Sequence, residues 1–469
     1  MHASPRDLPF GMKKREEGTA FDVVIVGSGA SGTLVAANLR RRCSPARIAI
    51  VERSGSFYRG IAYSTRSPHH LLNVRAGRMS AFASEPDHFL DWLRARTAGA
   101  ADAAEAFVPR ALYGSYLQSL IDPSIVPILG EVDRIEPVEG GCRLALTDGG
   151  VLEARFAVLA LGNRQPSNLP VPDGGLYSSD RYRGSLWVDP RLAELHAGEE
   201  VLILGTGLSM VDTVLSLLDA GHEGTIHLIS RHGLLPLSHG THPPRPLQLP
   251  LSPTLRELIR RLRAAAAERI AAGAGWEEVV DALRPDAARQ WALFSLADRR
   301  RFLRHARAHW DVHRHRIAPQ IGRRLRELQE VGRLRIHAGR VRGFAPGPAG
   351  VEVRFQPRGQ RTVEKLVVDQ VFNCTGPGAP AAAKEPLLQD LLARGLARLD
   401  PQGLGLETDG QGALVDGGGR PSTRLFTLGP LRLGELWETV AIPEIRVQAA
   451  ALAERIVDAL AAREGSRGT

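Results

Sequence analysis

Cysteine is scarce in this sequence, and its few cysteines lie far apart. The 469 residues include three, Cys43, Cys142 and Cys374, and no two of them form a CxxC pair. This spacing argues against a disulfide framework, against a zinc site and against the dithiol of a disulfide reductase. The adjacent His69 and His70 have no carboxylate or cysteine at ligand spacing, so we expect no metal site.

Long apolar runs are also missing. No stretch approaches the roughly 18 consecutive apolar residues of a membrane span, so we expect no membrane association. Residues 1–20 are polar and mixed in charge, and they lack the apolar segment of a signal peptide. We therefore predict a disordered tail at residues 1–20 and a cytoplasmic protein.

Lysine is rare, and arginine supplies nearly all of the positive charge. The sequence has four lysines, yet its formal net charge is +9, which favours anionic partners. The arginines are dispersed and no recognised nucleic-acid-binding motif occurs, so no nucleic-acid partner is expected. Nothing in the sequence defines an oligomeric state.

A glycine-rich turn behind a short apolar run is the clearest motif that the sequence does contain. Residues 21–26 favour a strand, and Gly27, Gly29 and Gly32 follow with the spacing GxGxxG. In a strand–turn–helix unit the first glycine permits the turn, and the second lets the backbone approach a pyrophosphate. The third allows close helix–strand packing. The N–H groups at the helix start would then face the phosphates.

An acidic residue follows this turn at the spacing of a ribose-binding carboxylate. A second apolar run, residues 48–51, ends at Glu52, which lies 20 residues after Gly32. This context favours a dinucleotide site over an ordinary βαβ unit with a surface glutamate. The predicted cofactor-binding residues of this unit are Gly27, Gly29, Ala30, Ser31, Gly32, Glu52 and Arg53.

A second, weaker unit begins at residue 200. Its apolar run leads to Gly205 and Gly207, but Met210 stands at the third glycine position, which implies a wider helix–strand contact. Arg231 follows the next strand and either pairs with the 2′-phosphate of NADP or is a solvated surface residue. The predicted residues of this site are Gly205, Gly207, Ser209 and Arg231.

Further runs that end in glycine indicate how the two units are connected. The run at 156–161 ends at Gly162, and the run at 368–373 leads to Gly376. Gly429 follows a third short strand, and Pro443 begins a terminal helix that runs to about Ala461. We predict a first dinucleotide-binding domain at 21–197 and 376–469, and a second, nested domain at 198–375 with a helical insertion at about 250–330.

An arginine-rich helix is predicted over residues 297–317 within that insertion. His313 lies on its apolar stripe and is either a buried core histidine or a substrate contact.

Several local motifs resemble one family of proteins. They are Gly60-Ile61-Ala62-Tyr63-Ser64, Leu71-Leu72-Asn73-Val74, Phe107-Val108-Pro109-Arg110 with Tyr113-Gly114, Trp310 to Arg316, and Asn373-Cys374-Thr375-Gly376. Over about residues 21–450 the chain resembles bacterial FAD/NAD(P)-binding proteins that include FAD-dependent urate hydroxylase and an aspartate N-monooxygenase. Arg75 departs from this pattern, because proline is expected there.

The resemblance implies an α/β fold with two nested Rossmann-like domains, as in flavoprotein monooxygenases and disulfide reductases. It also implies that NADH or NADPH reduces FAD, which then activates O₂ and oxygenates an electron-rich substrate. Gly162, Gly376, Gly429 and Asn73 join the predicted cofactor contacts.

The resemblance is compatible with more than one class of substrate. Urate is an anion near neutral pH, and an arginine- and histidine-rich region suits it, so urate hydroxylation is the main hypothesis. The alternatives are an N-hydroxylase of a primary amine or amino acid, and a flavin-binding redox sensor without oxygenase activity. The candidate substrate residues are His70, Asn73, Arg75, His313 and Arg314, and no catalytic residue is assigned.

Overall fold

The chain folds around two β-sheets that carry helices on their faces. The computed structural model describes residues 20–96, 103–184, 194–240, 247–378 and 385–464. Apart from Ala20, the predicted tail lies outside these ranges.

The first sheet has eight strands in the described ranges. They are β1 (Ala20–Val26), β2 (Ile48–Glu52), β3 (Val126–Leu129), β4 (Val132–Val138), β5 (Gly141–Leu146), β6 (Val151–Leu159), β14 (Ala413–Val415) and β15 (Pro421–Thr427). The main order is β14-β15-β6-β1-β2-β3, and β1 pairs in parallel with both β2 and β6. The glycine turn therefore leaves the middle of a parallel sheet.

The second sheet has seven strands in the same ranges. They are β7 (Tyr182–Arg183), β8 (Val201–Leu204), β9 (Ile226–Ser230), β10 (Leu334–Gly347), β11 (Gly350–Pro357), β12 (Glu364–Val368) and β13 (Gln370–Asn373). Their order is β12-β11-β10-β9-β8-β13-β7, with β8 parallel to both β9 and β13.

The described helices connect and cover these sheets. They are α1 (Ala30–Arg42), α2 (Gly60–Tyr63), α3 (His88–Arg94), α4 (Arg110–Ser119), α5 (Leu208–Asp219), α6 (Leu255–Ala271), α7 (Glu277–Leu283), α8 (Ala287–Leu293), α9 (Leu296–Arg301), α10 (Arg307–Arg314), α11 (Pro319–Glu330), α12 (Pro386–Ala393), α13 (Leu433–Leu436) and α14 (Ile442–Glu464). None of them is both long and apolar enough to span a membrane.

Alternate residues of β1 enter two different cores. Val23 and Ile25 pack with α1 and α14 on one face, whereas Val24 and Val26 pack on the other face. Both faces of this part of the strand are covered, which agrees with the continuously apolar sequence of residues 23–26.

The second domain begins earlier than the sequence predicts. β7 pairs with β13 of the second sheet, and Leu169 and Val171 pack against the core of that sheet. The predicted boundary at residue 197 is therefore wrong, and the chain has crossed to the second domain by residue 169. The remaining architecture confirms the predicted α/β fold, because the first sheet resumes at β14 after the nested domain.

The helical insertion consists of α6 to α11 and lies between β9 and β10. The predicted helix at 297–317 is interrupted: α9 ends at Arg301, residues Phe302–Ala306 form a π-helix, and α10 ends at Arg314. The chain leaves the helix there because Ile317 forms a β-bridge with Ser238. The insertion core includes Trp291 and Phe302, and it also contains Trp437 of the first domain.

Candidate functional site

The first glycine turn leaves no room for side chains at two of its glycines. Gly27 has φ +102°, and a Cβ atom there would lie 2.4 Å from the carbonyl oxygen of Ala160. A Cβ atom on Gly32 would lie 2.0 Å from the carbonyl oxygen of Gly27. These contacts agree with the predicted roles of the first glycine in the turn and the third in close helix–strand packing.

The amino end of α1 has the properties of a phosphate site. Gly29 is the N-cap residue, no side chain caps the helix, and its first turn has no acidic residue. The N–H groups at Ala30 and Ser31 therefore lie at a helix terminus that favours an anion. These observations fit the pyrophosphate of a dinucleotide.

A backbone segment that the sequence reading missed crosses this turn. A Cβ atom on Gly60 (φ +66°) would lie 2.9 Å from the Cα atom of Gly29. Tyr58, with φ +72°, donates its N–H to Ser28 Oγ and accepts from Thr33 Oγ1. The side of Gly29 that was predicted to meet the pyrophosphate thus faces Gly60. In the sequence, this crossing is marked by Gly60, the first residue of the Gly60–Ser64 motif.

Glu52 lies at the end of β2 beside the turn, as predicted. One carboxylate oxygen accepts hydrogen bonds from the N–H and the hydroxyl of Ser28, at 3.1 and 3.0 Å. The other accepts from the N–H and hydroxyl of Ser54, at 2.9 and 2.7 Å. A carboxylate held by hydroxyl donors is chemically suited to accept hydrogen bonds from ribose hydroxyls.

Arg53 is less suited to its predicted cofactor role. Its guanidinium is largely exposed and forms an ion pair with Glu131 at 2.9 Å. The side chain is therefore engaged at the surface beside β3.

The two other glycines predicted for the first site have different environments. Gly162 has φ +66° and open space where its Cβ would lie, just after the Ala160 carbonyl that contacts Gly27. Gly429 has φ +72°, and its Cβ would lie 3.0 Å from Ser31 Oγ. Its N–H donates to Gln448 and its carbonyl accepts from Thr439, at 2.9 Å each, which ties this loop to α14.

The second glycine turn repeats the geometry of the first. A Cβ atom on Gly205 (φ +99°) would lie 2.3 Å from the carbonyl oxygen of Cys374, whereas Gly207 faces open space. Gly376 lies two residues after Cys374, as Gly162 lies two residues after Ala160, and it also has open space. The residues that follow β6 and β13 therefore contact the two turns in the same way.

The amino end of α5 is a second uncapped helix terminus. Gly207 is its N-cap, and Ser209 lies in its first turn, which has no acidic residue. Met210 is fully buried in the core of the second domain. A side chain fits at this position, whereas none fits at Gly32, so the helix–strand contact here is wider, as its sequence predicts.

Arg231 is exposed and lies beside other cations at the end of β9. Within the described residues it makes no hydrogen bond or ion pair. Burial lowers the pKa of the neighbouring His232, and the charges of Arg358, Arg231, His309 and Arg340 lower it further. A free guanidinium in a positive environment favours the 2′-phosphate hypothesis over the solvated alternative.

We expect Arg231→Ala to raise KM for NADPH and to leave KM for NADH almost unchanged. A hydrogen bond to a charged group contributes roughly 1.5–3 kcal/mol, which corresponds to about tenfold or more. Steady-state kinetics with both nucleotides measure this effect. Arg335→Ala, on the same sheet but away from the carboxyl end of β9, is the control. An equal change for both nucleotides would assign Arg231 to the solvated surface.

His70 is buried between the two domains. Its side chain is 2% exposed, and Nε2 lies 3.0 Å from both Ser216 Oγ and the carbonyl oxygen of Asp212 on α5. Burial lowers the pKa of this histidine. His70 therefore connects the loop of the first domain to α5, which makes a substrate contact a poor assignment.

Arg75 also joins the two domains. Its guanidinium pairs with Glu105 at 2.8 Å and donates to the carbonyl oxygen of Gly240 at 2.8 Å. It lies over the ring of Phe107, 5.2 Å from the centroid. These contacts explain the cation at this position and argue against a substrate role.

Asn73 lies at the same boundary, and its side-chain amide is available. Its carbonyl oxygen accepts a hydrogen bond from His239 Nε2 at 2.9 Å. Within the described ranges the amide group itself has no hydrogen bond, and the residue is half-buried. Of the five substrate candidates, Asn73 has the environment that best suits a ligand contact.

A buried ion pair that the sequence reading missed supports this boundary. Arg110 on α4 pairs with Asp212 on α5 at 2.8 Å, and its Nε donates to the carbonyl oxygen of Leu71. Both side chains are largely buried. No local sequence signal shows this pair, because its members lie in different domains.

Arg314 is held in a buried cluster of charges and is not available to a substrate. It pairs with Glu438 at 3.0 Å and Glu444 at 3.2 Å, and Arg284 pairs with Glu444 at 2.6 Å. Glu438 also accepts from the Trp310 indole at 2.9 Å. The cluster fastens α10 of the insertion to the segment that begins α14.

His313 lies on the other side of α10. It is half-buried, its Nδ1 lies 2.7 Å from the carbonyl oxygen of His309, and its ring contacts Trp276. His313 is therefore not the buried core histidine that was one of the two predicted alternatives.

The first domain contains an FAD- and NAD(P)-binding unit. Residues 24–164 match the protein family described as FAD-NAD(P)-binding, and this range contains the first turn and Glu52. The predicted cofactors, FAD with NADH or NADPH, are thereby confirmed. Within the described residues, no group of three histidine, cysteine or acidic side chains could hold a metal ion.

Similar proteins span nearly the whole chain. An uncharacterized protein of Mycobacterium tuberculosis is 25% identical over 535 aligned residues, which cover 94% of this chain and 96% of the relative. L-lysine 6-monooxygenase of Pseudomonas syringae has a TM-score of 0.65 at 17% identity, over 94% of this chain and 99% of that chain.

Two other solved structures share the fold. The ornithine N-hydroxylase of Kutzneria sp. 744, solved with reduced FAD, NADP⁺ and L-ornithine, has a TM-score of 0.61 at 16% identity and covers 94% and 99% of the two chains. Bacillithiol disulfide reductase of Bacillus cereus has a TM-score of 0.56 at 14% identity, with coverage of 94% and 99%. At sequence identities of 14–17%, the similarity of these structures shows a shared fold and nothing beyond it.

Proposed function

We propose that the protein is an FAD-dependent, NADPH-driven N-hydroxylating monooxygenase of a primary amine or amino acid. The observation that carries this proposal is the fold likeness to lysine and ornithine hydroxylases over 94% of the chain. The 6% of this chain that the two alignments leave uncovered is shorter than the helical insertion. Part of the insertion is therefore also aligned with these hydroxylases. The alternative hypothesis of N-hydroxylation is thus better supported than the main hypothesis of urate.

The cysteines support a monooxygenase over a disulfide reductase. All three are free: Cys142 and Cys374 are buried, and Cys43 is half-buried. Burial raises the pKa of Cys374 to about 12, which disfavours the thiolate required for disulfide exchange. The likeness to bacillithiol disulfide reductase therefore concerns the fold.

The residues at the two turns would hold the cofactors in fixed positions. The amino ends of α1 and α5 would bind the two pyrophosphates, and Glu52 would bind the ribose of FAD. When bound, FAD would carry electrons from NADPH to O₂. The contacts of His70, Arg75 and Arg110 between the domains would fix the orientation of the two nucleotides, and Asn73 would contact a ligand at this boundary.

Arg231 supports NADPH as the reductant, because its free guanidinium suits a 2′-phosphate. Urate loses its supporting observation, since Arg75 and Arg314 are both engaged in ion pairs. An anion site built from these two arginines is therefore not part of the proposal.

We expect substrate-dependent NADPH oxidation with a primary amine or amino acid and not with urate. The panel would contain L-lysine, L-ornithine, L-aspartate, short diamines and urate. NADPH absorbance, oxygen uptake and hydroxylamine formation would be measured on the FAD-loaded protein. Tight coupling, with hydroxylamine equal to NADPH consumed, is the expected result for the true substrate.

Two other outcomes would overturn this proposal. Coupled loss of urate would support the urate hydroxylase hypothesis. No stimulation by any amine, with slow and substrate-independent NADPH oxidation, would support a flavin-binding redox sensor.

A further inference from the structure

The positive charge of the chain is concentrated in the helical insertion. Residues 255–330 contain 17 arginines and 10 acidic residues, a net charge of +7 out of +9 for the whole chain. Arginines occur throughout the sequence, but most of the excess of basic over acidic residues lies in the insertion. This insertion is therefore the part of the protein that most strongly attracts anions.

A cavity opens on the insertion between α6 and α9. Its volume is about 890 Å³, and its lining combines the apolar side chains of Leu255 and Ile259 with arginines from both helices. Pockets for small molecules are typically about 300–1,000 Å³ in volume and largely apolar, with a few polar groups that orient the ligand. The volume of this cavity lies in that range, whereas its lining is richer in charged residues, with four arginines.

Three arginines of the lining are free. Arg256, Arg260 and Arg263 are exposed and follow one another at helical spacing, so they project from the same side of α6. In the described part of the chain, none of them makes a hydrogen bond or ion pair. The neighbouring Arg261, on another side of the helix, is paired with Glu257 at 2.6 Å.

The one acidic residue in the lining is already neutralised. Asp298 pairs with Arg301 at 3.2 Å, and its N–H donates to Ser295 Oγ at the amino end of α9. Asp298 therefore has a structural role and does not balance the three free arginines. The cavity combines an apolar floor with uncompensated positive charge.

We propose that this cavity binds a small organic polyanion. The ligand has an apolar body that packs on Leu255 and Ile259, and at least two phosphate, sulfonate or carboxylate groups that reach the arginines of α6. Guanidinium groups bind such anions through charge-assisted, often bidentate, hydrogen bonds. The short span of the lining, from α6 to α9, favours a small molecule over an extended protein or nucleic-acid surface. This site is separate from the two dinucleotide turns, because it is formed entirely by the insertion.

The test uses pyrene-1,3,6,8-tetrasulfonate as the probe. It is added to the full-length, FAD-loaded protein with excess NADP⁺ present, and binding is measured by fluorescence anisotropy. We expect saturable binding to the wild type, and a Kd raised about tenfold or more in the R260E/R263E variant, because two charge-assisted contacts become repulsive. R260Q/R263Q removes the same contacts without charge reversal and is expected to show the same direction.

The matched control is R323E/R324E. These two arginines are exposed on α11 of the same insertion. Their substitution changes the net charge by the same amount as R260E/R263E. We expect the control to change Kd by less than about twofold, since a distant charge acts only through a screened field. FAD content and thermal unfolding of each variant show whether it is folded.

Several results would overturn the proposal. One is the absence of saturable probe binding to the wild type, and another is equal weakening in both charge-reversed variants. Equal affinity for inorganic tripolyphosphate would contradict the role of the apolar floor. Arginine-dependent binding of polyglutamate without binding of the probe would indicate an acidic protein partner instead.

Discussion

Gly32→Ala is expected to weaken FAD binding. The new Cβ would lie 2.0 Å from the carbonyl oxygen of Gly27 and 3.1 Å from its carbonyl carbon, so α1 must move away from β1. Overpacking typically costs roughly 1–3 kcal/mol. If this cost falls on binding, the affinity drops by about fivefold to more than a hundredfold. The flavin-to-protein absorbance ratio and the thermal unfolding temperature measure the effect.

Gly207→Ala is the matched control for this change. It makes the same substitution in the second turn, at a glycine where a Cβ atom meets nothing within 4 Å. We expect this variant to retain FAD and its unfolding temperature, and to lose affinity only for NADPH. Wild-type FAD content in Gly32→Ala would contradict the packing role of the third glycine.

Arg314→Ala is expected to destabilise the folded protein by about 3–5 kcal/mol, because it leaves a buried carboxylate without its partner. Arg314 and Glu438 are 6% and 5% exposed in their side chains. The loss should appear in urea unfolding of the FAD-loaded protein. Arg300→Ala removes an exposed arginine of the neighbouring helix α9 and should change stability little.

The same substitution should alter the response to acid. Burial raises the pKa of Glu444, but its pairs with Arg284 and Arg314 outweigh this effect, so the pKa lies below its ordinary value of 4.5. Such a carboxylate stabilises the folded state above about pH 4.5, and this contribution is lost as the pH falls through the folded pKa. Stability of Arg314→Ala should therefore fall less steeply below pH 4.5. Unchanged stability, or a steeper acid response, would contradict the buried cluster.

The two glycine turns were predictable because their geometry is encoded in adjacent residues. A turn that excludes side chains requires glycine at Gly27 and Gly205, and a helix terminus that favours an anion follows directly in the chain. The same reasoning predicted the wider contact at Met210. These features depend on the nearest few residues, so the spacing alone was sufficient.

The domain boundary and the substrate candidates depend on contacts between distant residues. β7 has two residues, too few to give a periodic signal, and its place is fixed by β13 almost 190 residues later. Arg75 and Arg314 look like anion contacts in the sequence, but Glu105, Glu438 and Glu444 compensate their charges in the fold. Sequence spacing does not show which carboxylate an arginine will meet.

The shared core of the insertion has a consequence for synthesis of the chain on the ribosome. Trp291 and Phe302 pack with Trp437, whose ring lies 4.9 Å from each of theirs. Domains usually fold as they emerge, beginning with the amino-terminal one. Here the insertion must wait for more than a hundred further residues before its core is complete. β6 likewise waits for β15. The insertion and the first domain therefore complete their cores only when the last fifth of the chain is being made, and until then the apolar surface of the insertion is exposed to chaperones.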